Sequence, residues 1–361
     1  MTMTSERLSG APAREVSKRV SQSVFDGSPL RVVLLVDVYD GAQQQFLEAY
    51  EQLCNQVASV PGHVSDQLCQ SIENPSQWLI TSEWESAPPF LTWVNSEEHV
   101  RMVEPLHSCV RDTRSLRFHI VRETGGASAA GRAGRRRLQA HPRIGDGVIR
   151  HALTFTVKPG SEDAVAEILS DYASPDARVD ATTRLCRTSL FMHGNRVVRA
   201  IEVRGDLLAA LRHVARQPAV RAVEEAINPY LEQDRDLNDP ESARVFFTRA
   251  ALPAVHHVRA EEQPEGVRQA LLYPARPDGG MRLAELLAQV DARAAEEPGG
   301  AVLRSTVFQR DDVVVRLVDV REGRDVEALP RGAGEAAELE GLLVGEAARM
   351  DLITDRRSPE V

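Results

Sequence analysis

Aromatic residues, lysine and cysteine are all scarce in this chain. Phe, Trp and Tyr make up 5% of the 361 residues, so each of the three tryptophans carries weight. Only two lysines, Lys18 and Lys158, accompany 41 arginines, a bias of composition rather than of function. The four cysteines, Cys54, Cys69, Cys109 and Cys186, are far apart and form no C-x-x-C. That excludes a disulfide framework and a zinc ribbon and fits a reducing cytoplasm. No run of about 18 apolar residues exists, which leaves nothing to span a membrane as a helix. The first 27 residues lack the apolar core of a signal peptide. A net charge of −10 and a pI near 5.6 argue against a nucleic-acid partner. Also missing are the G-x-x-x-x-G-K-[ST] loop, a G-x-G-x-x-G turn, H-E-x-x-H and G-x-S-x-G. ATP, a tightly held dinucleotide, a zincin site and a nucleophile elbow are thereby excluded. The pair His256-His257 falls between apolar units and reads as a surface feature.

With 42% hydrophobic and 27% charged residues, the composition is that of a globular protein. The length implies two or three domains at roughly 100–200 residues each. Residues 1–27 are polar and aperiodic and read as a disordered tail. Residues 28–123 contain the strand RVVLLVDVY at 31–39 and an amphipathic helix from Gln43 to Ala58. Two strands follow, Val64–Ser71 and Gln77–Trp84, joined by the turn Glu73-Asn74-Pro75. A helix from Ser96 to Arg111 and the alternating strand SLRFHIVR at 115–122 complete the unit. The order β-α-β-β-α-β is ferredoxin-like. Residues 124–147, rich in Gly, Ala and Arg, read as a linker. Residues 148–252 repeat the pattern: strand RHALTFTV, a helix from Ser161, a hairpin over 188–203, helices over 206–234 and a closing strand at Arg244–Arg249. Residues 262–355 repeat it again. RQALLYPARP at 268–277 matches RHALTFTVKP at 150–159, and STVFQRDDVVVRLVDVR at 305–321 matches TSLFMHGNRVVRAIEVR at 188–204. An internal duplication explains both matches. The expected fold class is α+β, built of tandem ferredoxin-like units of the dimeric α+β barrel type. The second and third units should pack sheet against sheet, and the first should pair with its copy in another chain as a homodimer.

The informative stretch is W-x-S-x-x-x-F-x-x-W-x-x-S, at Trp84, Ser86, Phe90, Trp93 and Ser96. It resembles the antibiotic biosynthesis monooxygenase (ABM) family over residues 31–122. The second unit, from RHALTFTVKPG to NPYLEQDRDL, resembles the SchA/CurD-like domain of aromatic (type II) polyketide and spore-pigment pathways. The first resemblance implies a ferredoxin-like fold, dimeric barrel pairing and oxidation of polyphenols without metal or flavin. Its haem-degrading branch implies a proximal His ten residues after the pocket Trp and an Asn in the first strand. Val103 and Leu34 stand there instead, so haem is not expected. The expected cofactor is none, with molecular oxygen as co-substrate.

Within that resemblance the candidate catalytic residues are Trp93, which matches the family's pocket Trp, and His99 or His107 as the base. Trp84, Asn74, Arg111 and His63 are candidates for holding substrate. Each has a plainer role open to it: Trp84 in the core, Asn74 and His63 in turns, the histidines facing solvent. The third unit has Gln269 in place of His151 and reads as a structural partner without its own site. The second unit, with His151, Thr154 and Arg187, keeps the possibility of one. The expected function is cofactor-independent oxidation of an aromatic polyketide, a phenol, naphthol or anthrone, in the cytoplasm. Type II polyketide synthase components are possible partners. A polyketide cyclase or aromatase, or a non-catalytic accessory protein of the synthase, needs the same apolar cavity and stays open.

Overall fold

In the computed structural model, residues 20–121, 145–171, 174–261, 265–326 and 333–358 are described. Most of the proposed linker at 124–147 and most of the N-terminal tail lie outside them.

The first unit is a four-stranded antiparallel sheet covered on one face by helices. Its strands are β2 (Leu30–Val38), β3 (His63–Gln70), β4 (Gln77–Trp84) and β5 (Val110–His119). Their spatial order, β3-β4-β2-β5, is that of a ferredoxin-like unit. Helix α1 (Gln43–Val57) buries Phe46, Leu53 and Val57. Where one helix was expected after β4 there are two, α2 (Ala87–Val94) and α3 (Glu97–His107). Pro88 and Pro89 open α2, where their missing N–H groups cost nothing. Ser96 then breaks the path and caps α3, accepting from the His99 amide at 3.1 Å. Gly62, at φ +83°, lets Pro89 approach to within 2.7 Å of where a Cβ would stand. The other sheet face is open. There Leu35 and Phe118 are 43% and 52% exposed, beside the Arg31–Glu83 ion pair.

The rest of the chain forms a closed barrel. Its strands are β6 (Val148–Thr156), β7 (Arg184–His193), β8 (Arg196–Arg204) and β9 (Ala251–Arg259) in the second unit. The third unit supplies β10 (Gly266–Pro274), β11 (Val302–Arg310), β12 (Val313–Arg321) and β13 (Ala348–Arg357). The barrel order is β9-β11-β12-β10-β13-β7-β8-β6, and β6 pairs back onto β9. The two sheets therefore meet edge to edge rather than face to face. Pairing β7 with β13 and β11 with β9 satisfies backbone groups that two stacked sheets would leave at open edges. Helices α4 (Glu162–Ser170), α5 (Leu207–Arg216), α6 (Pro218–Ile227) and α7 (Pro240–Ala250) belong to the second unit, and α8 (Gly280–Glu296) and α9 (Ala333–Gly341) to the third. Strands with an apolar interior and helix-facing exteriors read as nearly continuous hydrophobic runs, as β12 does.

Three expectations need correction. Residues 244–249 lie within α7, and the closing strand is β9. His256 and His257, on that strand, are 4% and 3% exposed rather than superficial, and His257 Nδ1 lies 2.9 Å from Thr306 Oγ1. Residues 20–23 are not disordered: they form β1 (Val20–Ser23), which pairs with β9 where β6 has diverged from it. A smaller departure is Ser161, whose hydroxyl donates to the Lys158 carbonyl instead of capping α4.

The apolar barrel interior (Ala152, Phe191, Ala200, Phe308, Leu317) gives way at one end to buried charge. Arg187 donates to Asp319 at 2.9 Å and to Asp355 at 2.5 Å. Arg268 donates to Asp319 at 2.7 Å and to Glu202 at 2.6 Å. Burial alone would raise the Asp319 carboxyl, but Arg268 and Arg187 override it and hold it far below the usual range. A carboxylate with a depressed folded pKa stabilises fully above its unfolded value near 4. That contribution is lost as pH falls toward the folded pKa.

Asp319→Asn should therefore lower stability by about 3–5 kcal/mol, because two arginines lose a buried counter-charge. Glu338→Gln, which breaks the half-exposed Arg282–Glu338 pair, should cost no more than about 1 kcal/mol. Denaturant unfolding at neutral pH checks both. Similar midpoint shifts would contradict the assignment, and the Asp319→Asn deficit should shrink below pH 4.

Candidate functional site

The aromatic residues singled out in the first unit gather at one end of its sheet. Trp84 closes β4 and is fully buried. Its ring stacks on Trp93 at 5.4 Å and meets Phe90 at 5.3 Å and His63 at 5.2 Å edge-on. Its indole N–H donates to Ser82 Oγ at 3.0 Å. Trp84 is thus the floor of the cluster, with no free surface for a ligand. His63 stands behind it, with Nε2 2.9 Å from the Asp66 carboxylate.

Trp93, on α2, is only partly buried, yet its Nε1 is enclosed and, like that of Trp78 at the far end of β4, has no acceptor among the described residues. Its ring meets His99 edge-on, with centroids 4.5 Å apart. Ser96 fixes this pair locally: its hydroxyl donates to the Trp93 carbonyl at 2.7 Å while accepting the His99 amide. Burial lowers the His99 pKa to about 4, with further lowering by the charges of Arg117 and Arg310. The imidazole is therefore neutral at physiological pH, able to accept a proton.

Arg117, on β5, lies over the Phe90 ring at 5.2 Å. The residue as a whole is exposed, while desolvation of the guanidinium lowers its pKa. Among the described residues no carboxylate lies within ion-pair distance of it. The barrel contributes two further groups. His151, on β6, is lowered to about 4 by burial and then by Arg117. Arg310, at the end of β11, donates to the backbone carbonyls of Asn95 and Ala251 at 3.2 and 3.3 Å and to that of Thr248. The helix side of the first unit leans on the barrel here, and the Glu97–Arg249 pair at 3.3 Å lies alongside.

The other candidate residues are elsewhere. His107 is exposed at the end of α3, with Arg244 nitrogens 2.7 and 3.1 Å from its two ring nitrogens. Asn74 accepts from the Ser76 amide in the exposed β3–β4 turn, at the opposite end of β4 from Trp84. Arg111 shares that far end, 3.5 Å from Asp37 and over the Tyr39 ring. Val103 and Leu34, which replace the haem ligands, pack against the apolar core. Among the described residues no group of three or more His, Cys, Asp or Glu is placed to hold a metal.

Arg117 and Arg310 are the residues that sequence reading missed. Arg117 left a trace: in SLRFHIVR the apolar Leu116 and Phe118 alternate with Ser115 and Arg117, and β2 pairs Val32 of its buried face with Arg117. Arg310 left none, because its role depends on contact between units 215 residues apart in the chain.

Residues 148–260 match the SchA/CurD like domain, and residues 29–105 match the antibiotic biosynthesis monooxygenase family. A 42.8 kDa protein of the whiE locus of Streptomyces coelicolor is 62% identical over 338 residues, 92% of this chain and 84% of that protein. Polyketide synthase CurD of Streptomyces cyaneus is 60% identical over 369 residues, 95% of this chain and 99% of that one. Among solved structures, SnoaB from Streptomyces nogalater, described as a cofactor-independent oxygenase, is 16% identical, with a TM-score of 0.25. That likeness covers 27% of this chain and 96% of SnoaB. Sharing more than half of its residues with CurD and the whiE-locus protein along nearly its whole length, the chain belongs to the SchA/CurD family.

Proposed function

We propose that the protein is a cofactor-independent monooxygenase acting on an aromatic polyketide, with the reaction centred on Trp93, His99 and Arg117. The observation that carries this reading is the enclosed, unpartnered indole N–H of Trp93 beside a neutral imidazole and an uncompensated guanidinium. A buried donor without an acceptor is costly and marks a place for a ligand oxygen. The ABM match of the first unit and the description of CurD as a polyketide synthase support the substrate class.

In this reading a phenol or anthrone loses a proton to His99 Nδ1 or Nε2. The charge spreads over the ring oxygen, where the Trp93 N–H donates and Arg117 supplies opposite charge. An imidazole with a pKa of about 4 is a weak base. Its driving force comes from Arg117, which lowers the pKa of the bound phenol, and from the anion itself, which cancels the two positive charges acting on His99. The delocalised carbanion passes one electron to dioxygen, and the radical pair recombines to a hydroperoxide. Loss of water then converts the CH2 of an anthrone to C=O. Two hydrogens leave the carbon, one oxygen atom enters it and the other departs as water. His107, Asn74 and Arg111 have no part in this step, being at other ends of the unit. The open face of the first sheet, with Leu35 and Phe118 exposed, is the surface through which two chains would pair as a homodimer.

His99→Gln should lower kcat about 10²–10⁴-fold on an anthrone or naphthol, and Trp93→Phe, which removes only the N–H, about 10²–10³-fold. Trp78→Phe should leave turnover near wild type. Oxygen consumption measures all three, and equal rates across them would move the site away from Trp93. The acid limb of kcat/KM should fall near pH 4, the free-enzyme value of His99, since activity needs the unprotonated ring. A limb near 6.5 would contradict the buried, neutral imidazole. Light scattering should report a dimer for the full chain and a monomer for Phe118→Glu, whereas a monomeric wild type would overturn the pairing.

A further inference from the structure

The mouth of the barrel nearest the first unit holds a cleft of about 220 Å³. Glu97 of α3 forms one rim and Phe246 and Arg249 of α7 another. Thr154, Arg196 and Arg310 line the barrel side. One of these cations, Arg196, has no carboxylate close to it among the described residues, the charge of Glu232 acting on it from farther off. Arg196 is desolvated, and its pKa is lowered on that account. It donates to Thr154 Oγ1 at 3.2 Å, and no carboxylate among the described residues comes within ion-pair distance. Arg310 is fixed by three backbone carbonyls and pairs with Asp311, also in the lining, at 3.6 Å. The neutral hydroxyl that orients Arg196 leaves that charge without a direct partner.

The duplication supplies an internal control. Aligning the two repeats puts Leu272 opposite Thr154, Pro274 opposite Thr156, Val313 opposite Arg196 and His193 opposite Arg310. The same barrel thus closes on its other half with apolar residues at three of these four places. The polar groups of the cleft are not demanded by the barrel architecture, and desolvating Arg196 without a carboxylate beside it carries a cost that packing does not recover.

We propose that this cleft is a binding site for a small aromatic carboxylate. The carboxylate would be held by Arg196 and Arg310, with the Thr154 hydroxyl beside it and the ring against Phe155 and Phe246. The volume lies below the ~300–1,000 Å³ of pockets for larger ligands, which limits the occupant to about one ring and its acid group. Phosphate shares the charge but leaves the aromatic wall uncovered. The site adjoins the Trp93 cluster, with Arg310 facing both, and does not depend on the oxidation proposed there; its test reads binding alone.

Calorimetric titration of the full chain with benzoate, benzamide and inorganic phosphate is the experiment. Benzoate should bind at least about tenfold more tightly than benzamide, which keeps the ring and loses the charge. Arg196→Val, the residue the other repeat carries, should weaken benzoate at least about tenfold, and Thr154→Leu should weaken it less. Both variants copy side chains that the duplicate half already accommodates, and thermal unfolding verifies that they fold. Benzoate binding unchanged in Arg196→Val, benzamide binding as tightly as benzoate, phosphate binding in preference to benzoate, or no binding to the wild type would each overturn the assignment. A His99→Gln chain should bind benzoate as the wild type does, and loss of binding there would instead place the carboxylate in the Trp93 cluster.

Discussion

The guanidinium–carboxylate contacts buried inside the barrel are the constraint on which the remaining geometry rests. Arg187 of the second unit reaches Asp319 of the third, and Arg268 of the third reaches Glu202 of the second. Each bond crosses the boundary between repeats, so the halves cannot slide or part without exposing charge to an apolar interior. The repeats no longer use these residues symmetrically. Arg304, the counterpart of Arg187, stands 3.5 Å from Asp319, while Arg150, the counterpart of Arg268, turns to Asp146 at 2.6 Å. Outside the barrel the equivalent arginines are kept, but their carboxylates come from non-equivalent helices, α6 and α8. Arg199 and Arg316 each pair with a helix carboxylate, Glu224 and Asp291. Closing the barrel fixes β9 and β11, which fix α7 and Arg310, and these hold the helix side of the first unit through Asn95 and Glu97.

Both proposed sites lie along that junction, and both depend on incompletely neutralised arginine. Burial, helped by Arg117 and Arg310, keeps His99 neutral, and Arg196 at the barrel mouth lacks a carboxylate beside it. An ABM-like unit alone would lack His151 and Arg310, so the barrel serves as more than a platform. The first unit meets the barrel with its helices and leaves its sheet face free, which keeps the junction compatible with pairing between chains.

The fold was largely legible because its strands obey simple periodicity. RVVLLVDVY, RHALTFTV and the two aligned hairpins fall on β2, β6, β7–β8 and β11–β12 within a residue or a few. The repeat was visible because the arginines and carboxylates that make the barrel network and its helix contacts recur at equal spacing. The failures have physical causes. ALPAVHHVR contains proline and two histidines and does not read as a buried strand, yet barrel closure buries it. VSQS is too short and polar to register as β1, and only the gap between β6 and β9 gives it a partner. The double proline of α2 looks like a loop until one sees that it starts a helix. For the proposed site, the aromatic spacing singled out Trp84, Trp93 and His99, which the fold brings together because that stretch is local in sequence. Arg117 and Arg310 escaped because their meaning lies in which units touch, and His107, on the same helix as His99, could not be separated from it by spacing alone.

In the proposed reaction this chain, without a metal or organic cofactor, delivers one atom of dioxygen to a deprotonated aromatic substrate at Trp93 and His99. The most direct measurement is mass spectrometry of the product formed from an anthrone under ¹⁸O₂ by chelator-treated, purified protein. One ¹⁸O atom per product, formed by the wild type and not by His99→Gln, is the predicted result. A product carrying oxygen only from water, turnover that requires added iron or flavin, or a cyclised product formed equally well without oxygen would contradict it.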